Sequence, residues 1–583
     1  GFLPEERHIN ITPEVCEYCL ECTKATGCTG LTTVETPYGM KIATDRSSCV
    51  ADGACAKIKA CPSFEEVILK RKRAPVVKVT ESDNLTLPLP PPRPCPLTDV
   101  WYAYVAGVGG MGVGMVSAIL ARAGMQQGYD VRFANKKGLA IRNGPVFAHV
   151  SFCKTPMKVS PVTPYGKANL LLGLDILEAT RGLDPKGNLR VGSPSHTAAV
   201  VNTAKTPTIT TLIGQDDFDP QELEQVIKRY TQADRYIGVN LSKLSEEFLG
   251  NKLYANIIML GLAYQQGLLP LDLESLEWAI DVSVRSAERP QNRKAFLIGR
   301  HLAIRPHAFA LDGATILPTY VATLHEKADI LQRTTWRGKR LAQMYRTLVE
   351  DAVQRMALDE TTAVHLALRV YDLIQYEDIG YAKSYVDRVE AVYRRDFPET
   401  GYIATKAVIR YLYKVMAIKD EIFVAHLLTG EEKRKRDAER YAIDRASGDR
   451  IIYRHFTRPR FTVFGRDIEF SITTRDWQLA LMKRMKWWRR ILPAWHLQEK
   501  RFRDWYIALV DRFDPHDLDE YHAYVQVLSI PEEVRGYREV RYPRMEEAVD
   551  MAEQILMNYA SYHKKASVQY TPVAQSTSAV PWA

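Results

Sequence analysis

Cys16-x-x-Cys19-x-x-Cys22 is the spacing with which one backbone loop presents three thiolates to three irons of a single [4Fe–4S] cluster, the fourth ligand coming from a distant part of the chain. The distant partner here is Cys61, followed by Pro62, the residue that closes bacterial runs of this type. A second loop, Cys49-x-x-Asp52-x-x-Cys55, reads the same way with an aspartate at its centre, and its distant partner is Cys28. Seven of the nine cysteines are used in this way, leaving Cys95 and Cys153 outside. Zinc also accepts four thiolates and is the competing reading, but a C-x-x-C-x-x-C core suits two cubanes better than zinc ribbons.

Asp52 has two readings. As a ligand it offers a hard oxygen where iron in a sulfide cage prefers thiolate, so its iron would be the labile one. As a turn residue beside Gly53 it would leave the second site holding a three-iron cluster. The return segments Cys22-x₅-Cys28 and Cys55-x₅-Cys61 are longer than the bacterial spacing, and no proline follows Cys28.

A second motif, Gly107-Val-Gly109-Gly110-Met-Gly112-Val-Gly114, lies between a strand expected at 101–106 and a helix expected at 115–127. This is the G-x-G-x-x-G order whose backbone N–H groups hold a dinucleotide pyrophosphate. Ribose recognition needs an acidic residue at the end of the next strand, and this one ends Phe133-Ala134-Asn135-Lys136-Lys137. NAD is therefore disfavoured, and both a phosphate held by the lysines and a plain solvated turn remain open. His149 and His196 read as packed or hydrogen-bonded histidines, not as acids or bases.

The elements that must position these residues belong to a chain of 583 residues, enough for about four domains. With 46% hydrophobic and 25% charged residues it reads as globular, which excludes wholesale disorder and a multispan membrane protein. The net charge of +9 is spread along the sequence, so no nucleic acid is expected. Lys70-Arg71-Lys72-Arg73, the one compact basic block, reads as a solvated linker face, with an acidic partner as the alternative. Cysteines confined to one segment suit a metal site in a reducing compartment, hence a cytoplasmic protein. Gly1–Arg7 lacks the features of a signal peptide. The uncharged run 100–121 is long enough to be weighed as a membrane span, but its central glycines break it, and no membrane span is expected.

The pattern divides the chain into a two-cluster ferredoxin-like domain at 1–73, a proline-rich linker at 74–98, an α/β domain at 99–300, a mostly helical region at 301–565 and an extended tail at 566–583. The α/β domain is expected to be an open, mostly parallel sheet with helices, its strands at 101–106, 129–134, 146–152, 170–174, 208–212 and 236–239. Helices are expected at 175–181, 220–231, 252–266, 273–288, 337–357, 381–395 and 478–490, with a short β piece at 450–474. No internal repeat is expected. Lys483-Arg-Met-Lys-Trp-Trp-Arg-Arg490 mixes bases with aromatics; a helix covering a subunit interface is preferred to a nucleic-acid or lipid surface.

The run Gly107-Val-Gly-Gly-Met-Gly-Val-Gly, then Val131-Arg-Phe-Ala-Asn-Lys-Lys-Gly-Leu-Ala-Ile-Arg-Asn-Gly-Pro-Val-Phe-Ala-His149, then Asn169-Leu-Leu-Leu-Gly-Leu-Asp-Ile-Leu-Glu-Ala-Thr-Arg181, resembles the gamma domain of 2-oxoacid:ferredoxin oxidoreductases. It is closest to the indolepyruvate ferredoxin oxidoreductase family, which commonly has Gln where Met111 stands. The cysteine-rich segment is similar to the ferredoxin domain beside the gamma domain in the long forms, and the helical remainder to their C-terminal extension. The resemblance implies an enzyme in which thiamine diphosphate with Mg²⁺ carries an aryl 2-oxoacid through loss of CO₂. Coenzyme A takes the acyl group, and two electrons pass one at a time through the clusters to ferredoxin. No Gly-Asp-Gly occurs in the sequence, so the thiamine site is expected on a partner subunit, in a hetero-oligomer, or on a segment preceding Gly1. Arg142, Asn143 and Gly144 form a loop that could face thiamine or CoA phosphates. Two other functions compete: an electron-transfer or scaffold subunit of a different dehydrogenase, and an NAD(P)- or flavin-linked iron–sulfur oxidoreductase.

Overall fold

In the computed structural model every element of the cysteine-rich segment occurs twice, 33 residues apart. Strand β1 (Glu6–Ile11) recurs as β3 (Gly39–Thr44), and β2 (Leu31–Thr36) as β4 (Phe64–Lys70). The turns recur with them. Thr12 N–H donates to the Ser63 carbonyl at 2.9 Å where Asp45 N–H donates to Gly30 at 2.8 Å, and Cys16 N–H reaches Thr12 at 3.0 Å where Cys49 N–H reaches Asp45 at 2.8 Å. β1 pairs antiparallel with β4, and β2 with β3, so each pair takes one strand from each half. The expectation of no internal repeat is thereby corrected. Besides the cysteines the halves share only Ile9/Ile42, Lys24/Lys57 and Val34/Val67, too little for a pattern search to register, because the common backbone is set by main-chain bonds.

The structure describes residues 3–57, 61–72, 85, 87–97, 99–136, 144–183, 190–309, 319–335, 337–457, 460–463, 466–469, 472–492 and 494–568, with side chains outside 57, 457–473 and 560–568. The described part of the proline-rich segment lies along the α/β domain, Gln265 Nε2 donating to the Pro90 carbonyl at 2.7 Å.

The α/β domain is built on β5 (Val100–Val108), β6 (Asp130–Lys136), β7 (Pro145–Cys153), β8 (Leu170–Gly173), β9 (Ala198–Asn202) and β10 (Tyr236–Val239). Their order is β10-β9-β8-β5-β7-β6, parallel from β10 to β5 and antiparallel beyond. β5 is apolar throughout because helices cover both faces. Trp101, Ala103 and Val105 pack toward helices Val113–Gln126 and Ala255–Gln265, while Tyr104 and Ala106 pack toward Ile176–Arg181 and Pro220–Arg229. Helices Ala255–Gln265 and Arg289–Ile304 cross at Gly261 and Gly299, where a Cβ on either would stand 2.0 Å from a carbonyl oxygen of the other. The strand expected at 208–212 is instead the short helix Ile209–Leu212. Thr208 accepts a hydrogen bond from Thr211 N–H as its N-cap, and local capping outweighs the β-branched composition. β9 was missed by the sequence reading.

Beyond residue 319 helices gather around a core that includes Tyr345, Val370, Tyr385, Leu412, Tyr506 and Phe513. The single helix expected over 478–490 is two, Asp476–Met482 and Trp488–Ile491. The break lets Lys486 donate to the Ile374 carbonyl at 3.4 Å and Arg489 to the Tyr376 carbonyl, satisfying the end of helix Glu360–Tyr376.

The β piece is present as β11 (Arg450–Thr457), β12 (Arg460–Val463), β13 (Arg466–Glu469) and β14 (Ile472–Arg475). β11 pairs antiparallel with β4, making a sheet of order β1-β4-β11-β14 across some 380 residues of sequence. An ionic cluster is buried beneath it. Glu65 lies 2.8 Å from Lys433 and 3.1 Å from His455, and Lys433 lies 2.8 Å from Asp437.

Candidate functional site

The repeat gathers the seven N-terminal cysteines into two adjoining groups. The Cys22 thiol lies within electrostatic reach of Cys61, Cys16 and Cys19 and, more weakly, of Cys55 in the other group, and the Cys55 thiol within reach of Cys28, Cys49 and Asp52. Burial raises every thiol whose shift is resolved: Cys61 and Cys55 to about 12, Cys22 far above its ordinary value, and Cys19 and Cys49 upward. None of these cysteines is in a disulfide. Main-chain N–H groups point at the sulfurs: Tyr18 and Ile42 donate to Cys16 Sγ at 3.4 Å each, and Ala51 donates to Cys49 Sγ at 3.4 Å. Among the described residues no three His, Cys, Asp or Glu side chains converge as ligands of a single ion would. A cubane makes a different demand, since each thiolate binds a different iron. Free, desolvated thiols with N–H donors aimed at sulfur fit such a group.

Both loops have the same backbone. Tyr18 and Ala51 are left-handed at φ 51° and 55°, and Leu20 and Gly53 at 65° and 70°. Three of these four are not glycine, a cost that persists only where surroundings enforce it. Asp52 is exposed, and its Oδ1 accepts from Ala54 N–H at 3.0 Å.

The first loop is held by residues far along the chain. Buried Glu17 pairs with Lys419 and with Arg541, the latter at 3.3 Å. Burial alone would raise its carboxyl, but those two cations outweigh it and hold it below the usual carboxylate range. Tyr537 Oη donates to the Val15 carbonyl at 2.5 Å, and Lys41 Nζ to the Cys16 carbonyl at 2.8 Å. Tyr537 and Val540 join Cys16, Cys19, Cys22 and Cys61 in lining one small pocket. Sequence reasoning missed Lys419, Tyr537 and Arg541, because nothing in their local pattern separates them from other surface residues of helices and turns.

The glycine motif turns from the end of β5 into helix Val113–Gln126. Gly112 is its N-cap at φ 85°, and a Cβ there would stand 2.4 Å from Asn256 Nδ2. Gly107 also abuts Val113, whereas Gly110 and Gly114 face open space. Gly109 N–H donates to the Gly144 carbonyl at 2.9 Å; Arg142 and Asn143 lie outside the described residues. The strand after this helix, β6, is antiparallel to β7 and does not neighbour β5. The parallel β-α-β unit that binds dinucleotides is thus not formed here. The first N–H groups of the helix have no intrahelical partner, as at any helix start, a geometry suited to an anion.

The remaining sequence candidates are spread apart. His149 is buried beside Tyr104 at 5.1 Å between ring centroids, with Nδ1 3.0 Å from Thr163 Oγ1, and burial lowers its pKa to about 4. His196 is exposed. Cys153 is buried at the end of β7, and Cys95 lies in the proline-rich segment. Within the basic block Lys72 is exposed and Arg73 lies outside the described residues, but Arg71 departs from the expected solvated face. Arg71 is buried, bonded to Glu6 and Asp449 at 3.2 Å each and to the carbonyls of Tyr441 and Ala442, because it clamps β4 to the C-terminal region. Trp477, Leu481, Trp487 and Ile491 are exposed around the broken basic helix. Among the described residues no helix is long and apolar enough to cross a membrane.

Residues 103–302 match the family described as pyruvate ferredoxin/flavodoxin oxidoreductase, and residues 362–554 match a family of unknown function, DUF6537. The chain is 32% identical over 214 residues to the indolepyruvate oxidoreductase subunit IorB of Archaeoglobus fulgidus, covering 35% of this chain and 96% of that protein. The IorB of Pyrococcus horikoshii is 26% identical, covering 33% of this chain and 92% of its own length. Among solved structures, the gamma subunit of a keto/oxoacid ferredoxin oxidoreductase from Geobacter sulfurreducens aligns over 35% of this chain and 98% of its own, at 19% identity and TM-score 0.24.

Proposed function

The chain belongs to the family of the indolepyruvate oxidoreductase subunit IorB, a subunit of a ferredoxin-dependent 2-oxoacid oxidoreductase, and from that premise we propose that it is the electron-transferring subunit of an enzyme acting on an aryl 2-oxoacid. The products are the aryl-acetyl-CoA, CO₂ and reduced ferredoxin. The observation that carries this reading is the duplicated cysteine fold, two groups of free, buried or half-buried thiols on one repeated backbone. Cys16, Cys19, Cys22 and Cys61 hold one [4Fe–4S] cluster. Cys28, Cys49 and Cys55, with Asp52, hold a second cluster or a three-iron form of it. Bound there, the clusters supply one-electron storage at a potential set by ligand type, hydrogen bonds to sulfur and exposure.

This chain's residues bind, shield and orient. Tyr18, Ile42 and Ala51 N–H groups donate to ligand sulfurs, and Tyr537 and Val540 keep water from the first group. The turn from Gly107 to Gly114 aims donors at an anionic group, a role suited to a phosphate of thiamine diphosphate or CoA brought by the partner. Thiamine diphosphate and Mg²⁺ belong to a separate thiamine-binding subunit, in a hetero-oligomer located in the cytoplasm.

The test is co-expression with the thiamine-binding partner under anaerobic conditions. Indolepyruvate with CoA should reduce ferredoxin, and the chain should carry about seven or eight irons. A complex that carries no iron, or that prefers pyruvate to every aryl oxoacid, would overturn the corresponding part of the reading.

A further inference from the structure

The two halves of the repeat share a backbone but not an environment. Glu17 and Val50 occupy equivalent positions, each directly after the first cysteine of its loop. Glu17 is 8% exposed and Val50 is 64% exposed. The usual preference is thus reversed at both places: the carboxylate is inside and the apolar side chain is in water.

The surroundings explain the first half of this reversal. Glu17 is bolted to Lys419 and Arg541, Val15 to Tyr537, and Leu20 lies against Gly214 of the α/β domain, where an added Cβ would meet it at 2.8 Å. The first loop is therefore enclosed between the α/β domain and the C-terminal region. On the second loop Val50, Asp52 and Ala54 are all exposed, and Ala51 and Gly53 between them are tied into the left-handed frame. The ties to the rest of the chain lie at the entry to this loop, where Lys252 reaches Asp45 at 3.3 Å and Ser47 at 3.3 Å and Arg440 donates to the Thr44 carbonyl at 2.6 Å.

We infer that the Cys49–Cys55 loop is the port at which the electron-accepting protein docks, with Val50 as an apolar contact at its centre, and that the Cys16–Cys22 group is an interior relay. This rests on the iron–sulfur reading above. Electron tunnelling falls off exponentially with distance, so a protein acceptor must bring its own redox centre against the least covered cluster. The enclosed loop offers no such approach. The occupant is a small protein carrying a one-electron centre near its surface. An exposed valine beside a fixed loop supplies the kind of small apolar contact, rimmed by polar groups, that such an encounter uses.

The experiment uses the whole anaerobic enzyme with its thiamine-binding partner. Cluster signals are recorded by electron paramagnetic resonance with and without a dysprosium chelate that diffuses freely and relaxes nearby spins. The signal altered by Asp52→Cys, or lost in Cys55→Ser, identifies the second site. Its relaxation should be enhanced far more than that of the other signal. Equal enhancement, or stronger enhancement of the unaltered signal, overturns the port assignment. Absence of any cluster signal overturns the iron–sulfur reading itself and the inference with it. Separately, Val50→Glu should raise the KM for ferredoxin about tenfold with little change in kcat, the scale of losing one apolar anchor at an interface. An unchanged KM removes Val50 from the docking surface and overturns the assignment of its occupant.

Discussion

Cys19 and Asp52 occupy the same place in the two halves of the repeat, each flanked by left-handed residues at φ 51° and 65° in one loop and 55° and 70° in the other. The hydrogen bonds match as well: Glu21 N–H donates to the Cys19 sulfur, and Ala54 N–H to Asp52 Oδ1 at 3.0 Å. Asp52 thus has the turn bond expected of an aspartate and stands where Cys19, proposed as a ligand, stands in the first loop. If it ligates, mild oxidation should extract one iron from the second site and leave a three-iron cluster, and Asp52→Cys should prevent this. Identical oxidation behaviour of the two proteins by electron paramagnetic resonance would reduce Asp52 to a turn residue.

The chain without its partner should oxidise no 2-oxoacid, even when supplied with iron, sulfide, CoA and thiamine diphosphate. No Gly-Asp-Gly of the thiamine-binding type occurs in it. Ferredoxin reduction measured with purified chain tests this, and turnover above the protein-free rate would contradict it.

Cys95→Ser with Cys153→Ser should leave the iron content unchanged. Cys153 is fully buried among the core of the α/β domain, where a thiol acts as a small apolar group, so only stability should fall. A loss of about four irons per chain, one cubane, would mean that the ligand set is wrong.

The buried cluster of Glu65, Lys433, Asp437 and His455 should make the attachment of β11 to β4 sensitive to acid. Burial alone would raise the Glu65 carboxyl, but Lys433 and then His455 bring it down to about 2 from 4.5. A depressed carboxyl contributes stability above its unfolded value, so this contribution is full above 4.5 and disappears as pH falls toward 2. Burial lowers His455, but Asp476 and Glu65 raise it overall, so its contribution is full below 6.5 and is lost as pH rises through its folded value. Amide exchange along β4 and β11 at a series of pH values should show the acid loss. Lys433→Ala, which takes the shared cation away from buried Glu65 and Asp437 and leaves Glu65 to His455 alone, should cost about 3–5 kcal/mol in denaturant unfolding.

Gly112→Ala should destabilise the α/β domain by about 1–3 kcal/mol, since it combines left-handed backbone with a clash on Asn256. Gly114→Ala meets open space and should cost little in thermal unfolding. If Gly114→Ala nevertheless weakens coupling to the thiamine-binding partner, the turn has a ligand role that packing does not explain.

What the sequence settled by itself is local. Three thiols at three-residue spacing can be read from one loop because a few fixed dihedrals suffice to aim them, and a glycine turn after an apolar strand is equally short in range. The apolar strands β5 and β8 were legible because burial on both faces removes polar residues from the run. The fate of 208–212 was not, because one threonine cap outweighed a strand-like composition. Only the tertiary structure decided the rest. Strand exchange between the repeat halves places Cys61 beside the first loop and Cys28 beside the second, through main-chain bonds that few side chains encode. Arg71 looked like part of a solvated basic run and became a buried clamp because its partners, Tyr441, Ala442 and Asp449, lie some 370 residues away. Lys419, Arg541 and Tyr537 enclose a loop more than 400 residues earlier in the chain. Spacing specifies what neighbours along the chain can do together, whereas enclosure depends on which distant surfaces fold against each other, and that is why Glu17 and Val50, equal by position, differ in environment.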